Sequence, residues 1–166
     1  MVVNRRDAHA YLVDKCRTIA PDDVFTLAER CDEIRSKAEP HHDRLPYLRD
    51  RVHLATELVR DYAEGECTTI PLYSFAIIAV ALLYLLQDVD AVPDFLPGGF
   101  DDDDLILAVA LEIARPGLER YCDSKGVDCS VLDSGKPVPK PTARATPKSK
   151  PKSKPKAKPQ PRKRVR

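Results

Sequence analysis

Twenty-one consecutive residues without a charge, 67–87, run directly into seven aspartates spread over 17 positions. The acids are Asp88, Asp90, Asp94, Asp101, Asp102, Asp103 and Asp104, and the run Pro93-Asp94-Phe95-Leu96-Pro97-Gly98-Gly99 lies among them. An uncharged segment of about 20 residues meets the length criterion for a membrane helix. A Pro/Gly break studded with carboxylates must instead meet water, a metal ion or cations. Few folds accommodate both, and an apolar helical hairpin with a polar head is the simplest.

The charge of the chain separates into two blocks. Residues 135–166 hold 13 of the 27 basic residues and eight prolines but none of the 26 acids, which leaves residues 1–134 at −12 against +13 for the C-terminal segment. The overall +1 describes neither block. A Lys/Pro/Ser tract with so few apolar side chains cannot bury enough surface to offset the entropy of ordering it, so disorder is expected from residue 135 onward.

Cys16, Cys31, Cys67, Cys122 and Cys129 form no C-x-x-C pair, and His9, His41, His42 and His53 supply no zinc-ligand spacing. Five is an odd number, so the expectation is free thiols in a reducing compartment rather than a disulfide framework. No signal peptide is expected after Met1, because Asn4-Arg5-Arg6-Asp7 opens a polar helix; the N-terminus is expected in the cytoplasm.

Helical periodicity runs through the first 134 residues, with no strand-like alternation, internal repeat or glycine-rich phosphate loop. Ala8, Leu12, Cys16 and Ile19 make one stripe; after Pro21-Asp22-Asp23, Val24, Leu27, Cys31 and Ile34 make the stripe of a second helix. Asp43 and Pro46 open a third, with Leu48, Val52, Ala55, Val59 and Tyr62 on one face and Gly65 as its stop. A fourth is predicted over residues 70–86, with Thr69 and Pro71 as cap and first-turn residues, and it is apolar on every face from Phe75 to Leu83. The fifth starts in the aspartates, continues through residues 105–111, and is predicted to be interrupted at Pro116 and to end near Tyr121. The fold class is all-α: a small helical bundle with a central apolar hairpin and a disordered basic tail. Its divisions are amphipathic helices over 1–64, the hairpin over 65–121 and the tail over 135–166.

Tyr84, Asp90, Pro93, Asp94, Phe95 and Pro97, followed by Asp103 and Asp104, resemble the YkvA-type domain of unknown function. That pattern is an apolar helix ending in Tyr, a P-x-D-x-x-P-D-F-x-P turn, an Asp-Asp pair and a second apolar helix. The resemblance covers about residues 64–118. Asp88 stands where the pattern has its first proline, Phe100 where it has the turn glycine, with Gly98 and Gly99 displaced, and Asp101 and Asp102 add charge that the pattern lacks. The resemblance implies the hairpin fold and no established activity.

Three kinds of function remain. Asp90, Asp94, Asp103 and Asp104 are the candidate oxygen ligands for Mg²⁺ or Ca²⁺, although residues 88–93 lack the third ligand and glycine of an EF-hand loop. The alternative role for Asp103 or Asp104 is capping the helix that follows, and for Asp90 and Asp94, fixing the turn. No complete catalytic motif, cofactor site or small-molecule substrate is implied. The tail cations Lys148, Lys150, Lys152, Lys154, Lys156, Lys158, Arg162, Lys163, Arg164 and Arg166 suit any polyanion, an anionic membrane surface or nucleic acid, and no aromatic residue interleaves them to stack on bases. The expectation is a non-catalytic protein associated with the cytoplasmic side of a membrane through its apolar hairpin, which either inserts in the bilayer or forms the core of a bundle, with the tail on the surface. The alternative is a soluble nucleic-acid-associated protein with a helical scaffold.

Overall fold

The computed structural model describes residues 4–41, 43–87 and 100–133, and all regular structure among them is helical. In chain order the elements are α1 (Arg5–Lys15), a 3₁₀ turn (Cys16–Thr18), α2 (Pro21–Glu29), α3 (Cys31–Ala38), a 3₁₀ turn (Glu39–His41), α4 (Leu48–Ala63), α5 (Leu72–Leu85), α6 (Asp101–Lys125) and a last 3₁₀ turn (Ser130–Asp133). The 134–166 segment lies outside the described residues, and with it the expected disorder of the tail and all ten of its candidate cations.

Local chemistry sets most helix starts. The Asn4 side chain accepts from the backbone N–H groups of Arg6 and Asp7 at 2.9 and 3.1 Å and so caps α1. Pro21 occupies the first turn of α2, where a missing N–H costs nothing, and the Asp23 carboxylate reaches back to the Ala20 N–H at 2.8 Å. Gly65 follows α4 with φ +78°, a conformation that ordinary residues resist, and the Glu66 and Cys67 N–H groups then close on the Asp61 carbonyl.

Three predicted boundaries shift. The Val24–Leu27–Cys31–Ile34 stripe is buried as expected, but it belongs to two helices, because the chain turns at Arg30 (φ −96°, ψ 7°). No Gly or Pro marks that turn; both short helices pack on α4, and the bend lets each lay its apolar side there. The start of α5 is Leu72, with Pro71 in the capping position in place of Thr69. Nor is α6 interrupted at Pro116 or ended near Tyr121: it runs unbroken to Lys125 and closes on Gly126 at φ +67°. Pro116 withholds one N–H from the ladder, yet Ala110, Ala114, Leu118, Tyr121 and Cys122 are all buried on one face across it, and that packing outweighs the lost bond. Gly117, next in sequence, allows the close approach of α5: a Cβ there would stand 3.0 Å from both Ile70 Cγ1 and Pro71 Cδ.

Helices α5 and α6 form the hairpin, and α1, α2 and α4 cover α5 from other sides. From Ser74 to Leu86 every residue is buried except Leu83, which is half-buried and also packs on the core. The apolarity of α5 on all faces is therefore met by protein. With 14 residues α5 is about 21 Å long against a hydrocarbon core of about 30 Å. Among the described residues no helix is long and apolar enough to cross a membrane, so the expected transmembrane helix is not found.

The cysteine expectation also fails in part. Gly126 reverses the chain after α6, bringing Cys129 back beside Cys122 with Cα atoms 6.1 Å apart, and the two form a disulfide. Cys16, Cys31 and Cys67 are free and buried. The argument for a reducing compartment, which rested on five free thiols, loses its basis.

Candidate functional site

The predicted site residues that are described converge at the head of the hairpin, where the last turn of α5 meets the first turn of α6. Tyr84 is buried, and its hydroxyl donates to Asp102 Oδ2 at 2.7 Å; its ring meets that of Tyr11 edge-on, centroids 5.4 Å apart. Asp102 and Asp103 are 5% and 1% exposed. Asp104 Oδ1 accepts from Arg51 Nη1 at 2.7 Å, and the Arg51 guanidinium also lies over the Tyr47 ring at 5.7 Å. Asp101 pairs with Arg44 at the exposed rim, where such a pair contributes little. His41 stacks on Phe100, with centroids 3.9 Å apart, and Lys37 Nζ donates to the Leu85 carbonyl at 3.1 Å.

The positive end of the α6 dipole favours these carboxylates, but they do not cap the helix. Phe100 is the capping residue, and no side-chain cap hydrogen bond forms there. Asp102 and Asp104 instead reach across to other helices, which corrects the expectation that Asp103 or Asp104 serves as a cap. The second oxygen of Asp102 is enclosed without a hydrogen-bond partner among the described residues. The metal reading gains no geometry either: among the described residues no group of three or more His, Cys, Asp or Glu side chains is placed to hold a metal ion. Asp90, Pro93, Asp94, Phe95 and Pro97 lie outside the described residues, as does the turn they were expected to fix.

The arrangement is a polar latch holding α6 against α5 and α4. Two of its members, Asp102 and Arg51, carried no assigned role in the sequence reading. A signal for Arg51 was present: positions 48, 51, 55 and 58 follow one helix face, and a charge within an otherwise apolar face demands a partner. Tyr84→Phe removes a buried hydroxyl that donates to a carboxylate, and we expect it to lower stability by about 2 kcal/mol in urea unfolding. A loss below about 0.5 kcal/mol would show that the Tyr84–Asp102 bond is not a latch.

A second constellation lies along the opposite part of α4. Asp61 accepts from the Tyr121 hydroxyl at 2.7 Å and from Lys125 Nζ at 2.9 Å, at the edge of a groove of about 480 Å³ that also meets Asp50, His53, Glu57 and Asp128. Burial, then the adjoining Asp61 carboxylate, raises the Tyr121 hydroxyl above the usual tyrosine range. Two donations from Ser130, by hydroxyl and amide, hold Asp128 below the usual carboxylate range. A raised tyrosine contributes stability that is fully present below its unfolded value near 10 and is lost as pH rises toward its folded value. The protein should therefore lose stability above about pH 10, and Tyr121→Phe should flatten that alkaline limb relative to the parent. Parallel limbs in thermal melts of the two proteins would refute the assignment.

Compared with known proteins, the chain matches no family model, no curated protein and no solved structure.

Proposed function

We propose that this chain is a non-catalytic helical scaffold that associates with an anionic membrane surface from one side, without crossing it. In this reading the hairpin is of the YkvA type and serves as the core of the bundle, and attachment uses two other elements. One is the cationic C-terminal segment, whose 13 basic residues are unopposed by any acid within it. The other is an apolar rim on the folded part: Leu72, Phe25 and Tyr73 are 69%, 57% and 51% exposed, and Leu72 and Phe25 edge the same groove.

The rim is the observation that carries the reading. A cationic segment alone suits any polyanion, but an aliphatic Leu72 and an aromatic Phe25 gain nothing from a phosphate backbone, whereas the membrane interface accepts both. Stable attachment at a bilayer takes two signals, and a polybasic segment with a shallow apolar contact supplies them. The absence of aromatic residues from 135–166 removes the usual means of engaging bases.

The test is co-sedimentation with phosphatidylcholine vesicles, with and without phosphatidylserine, and with duplex DNA as competitor. Binding to the anionic vesicles only, released by salt and weakened by Leu72→Asp while DNA binding is unchanged, supports the proposal. Equal loss of vesicle binding to competing DNA, with Leu72→Asp silent, transfers the assignment to a nucleic-acid-associated scaffold. Retention after carbonate extraction of cell membranes would restore an inserted form.

A further inference from the structure

Behind that rim the fold encloses a groove of about 450 Å³ between the α1–α2 corner, the end of α4 and the start of α5. Its walls are apolar, built from Ile19, Pro21, Val24, Tyr62 and Phe75 together with the buried Cys16 thiol, which donates to the Val13 carbonyl at 3.3 Å. Among the described residues one charged side chain lines it: Arg17, which is exposed on the 3₁₀ turn Cys16–Thr18 and makes no ion pair among those residues. The neighbouring acid Asp23 is turned to the Ala20 N–H and faces a different cleft.

We propose that this groove binds a single-chain anionic amphiphile, of the class of fatty carboxylates, with the alkyl chain along the apolar walls and the headgroup on Arg17. The volume falls within the range of small-molecule sites, and mostly apolar walls with a few placed polar groups are their usual lining. Charge decides the headgroup, because a guanidinium presents parallel donors that match a carboxylate, while a cationic head would meet repulsion. The exposed Leu72 and Phe25 stand at the mouth, where an entering chain gives them an apolar neighbour. The site shares this rim with the membrane reading but needs no bilayer: its ligand is the amphiphile dispersed in water.

The probe is dodecanoate below its micelle concentration, titrated at moderate salt into the full chain and into the full chain with its ten tail cations replaced by glutamine, which removes attraction to the tail without screening Arg17. Calorimetry should give saturable binding, with affinity rising about fourfold per methylene from octanoate to dodecanoate. Methyl resonances of Ile19, Val24 and Leu72 should shift. Arg17→Glu and Leu72→Asp should each weaken binding about tenfold or more, and dodecyltrimethylammonium should bind more weakly than dodecanoate. Leu72 is exposed and begins α5, where an aspartate suits the helix dipole, so Leu72→Asp is expected to fold. No saturation, no dependence on chain length, or indifference to both substitutions would overturn the proposal. A dimer whose groove methyls are already covered would also overturn it, by showing a second copy as the occupant. Loss of vesicle association with dodecanoate binding intact would sink only the membrane reading, and the converse only this one.

Discussion

Phe75→Ala should lower the unfolding free energy by about 4 kcal/mol, a large part of the 5–15 kcal/mol that holds a domain of this size together. Phe75 is fully buried on α5, and its ring stacks on that of Tyr62, with centroids 3.8 Å apart and planes inclined by 18°. Truncation removes the transfer free energy of the ring, leaves a cavity beside Tyr62 of α4, and forfeits an aromatic pair worth about 1 kcal/mol. The experiment is urea unfolding of the full chain in water without lipid. It also separates the two readings of α5. A helix that forms the centre of a bundle is needed for folding in water, whereas a membrane element would leave a lipid-free fold nearly indifferent to the change. A loss under about 1 kcal/mol with an unchanged urea slope would argue that α5 is not the core.

The second large effect concerns attachment. Replacing Lys148, Lys150, Lys152, Lys154, Lys156, Lys158, Arg162, Lys163, Arg164 and Arg166 by glutamine should reduce partition onto phosphatidylserine-containing vesicles at least a hundredfold. Each cation near an anionic surface contributes on the order of 1 kcal/mol. Even if only a third of the ten engage at once, about 3 kcal/mol is lost, and each 1.4 kcal/mol is a factor of ten. The salt dependence should flatten in parallel, because fewer counterions are released. Residues 1–134 carry −12 and repel the same surface, so a glutamine variant that still bound with steep salt dependence would contradict the assignment of binding to the tail. The folded part should melt at an unchanged temperature, which separates lost attachment from lost structure.

The site was legible in part. Tyr84, Asp103 and Asp104 were singled out by pattern, and all three lie at the head of the hairpin. Their partners were not legible: Arg51 and Asp104 are 53 positions apart, and nothing in either neighbourhood names the other. The latch also includes Asp102, which the sequence marks only as added charge and whose partner Tyr84 lies 18 positions away. The acyl-sized groove has no sequence signal, because Ile19, Val24, Tyr62 and Phe75 read equally well as core.

Periodicity and end chemistry determined the rest of what was correct. Ala8–Leu12 on α1, Val24–Leu27 on α2, Cys31–Ile34 on α3 and Leu48–Val52–Ala55–Val59 on α4 are buried stripes because residues three and four apart share a helix face whatever the tertiary context. Asn4 and Gly65 mark ends because capping and positive φ are properties of a few consecutive residues. Tertiary packing alone decided that α6 runs through Pro116, that the chain bends at Arg30, and that Cys129 returns to Cys122, since each balances a local preference against contacts made elsewhere. It also decided what surrounds α5. Apolar burial is non-directional and proportional to area, so a helix apolar on every face specifies only that water must be absent. Whether lipid or protein replaces the water depends on the neighbouring helices, and here α1, α2, α4 and α6 provide protein.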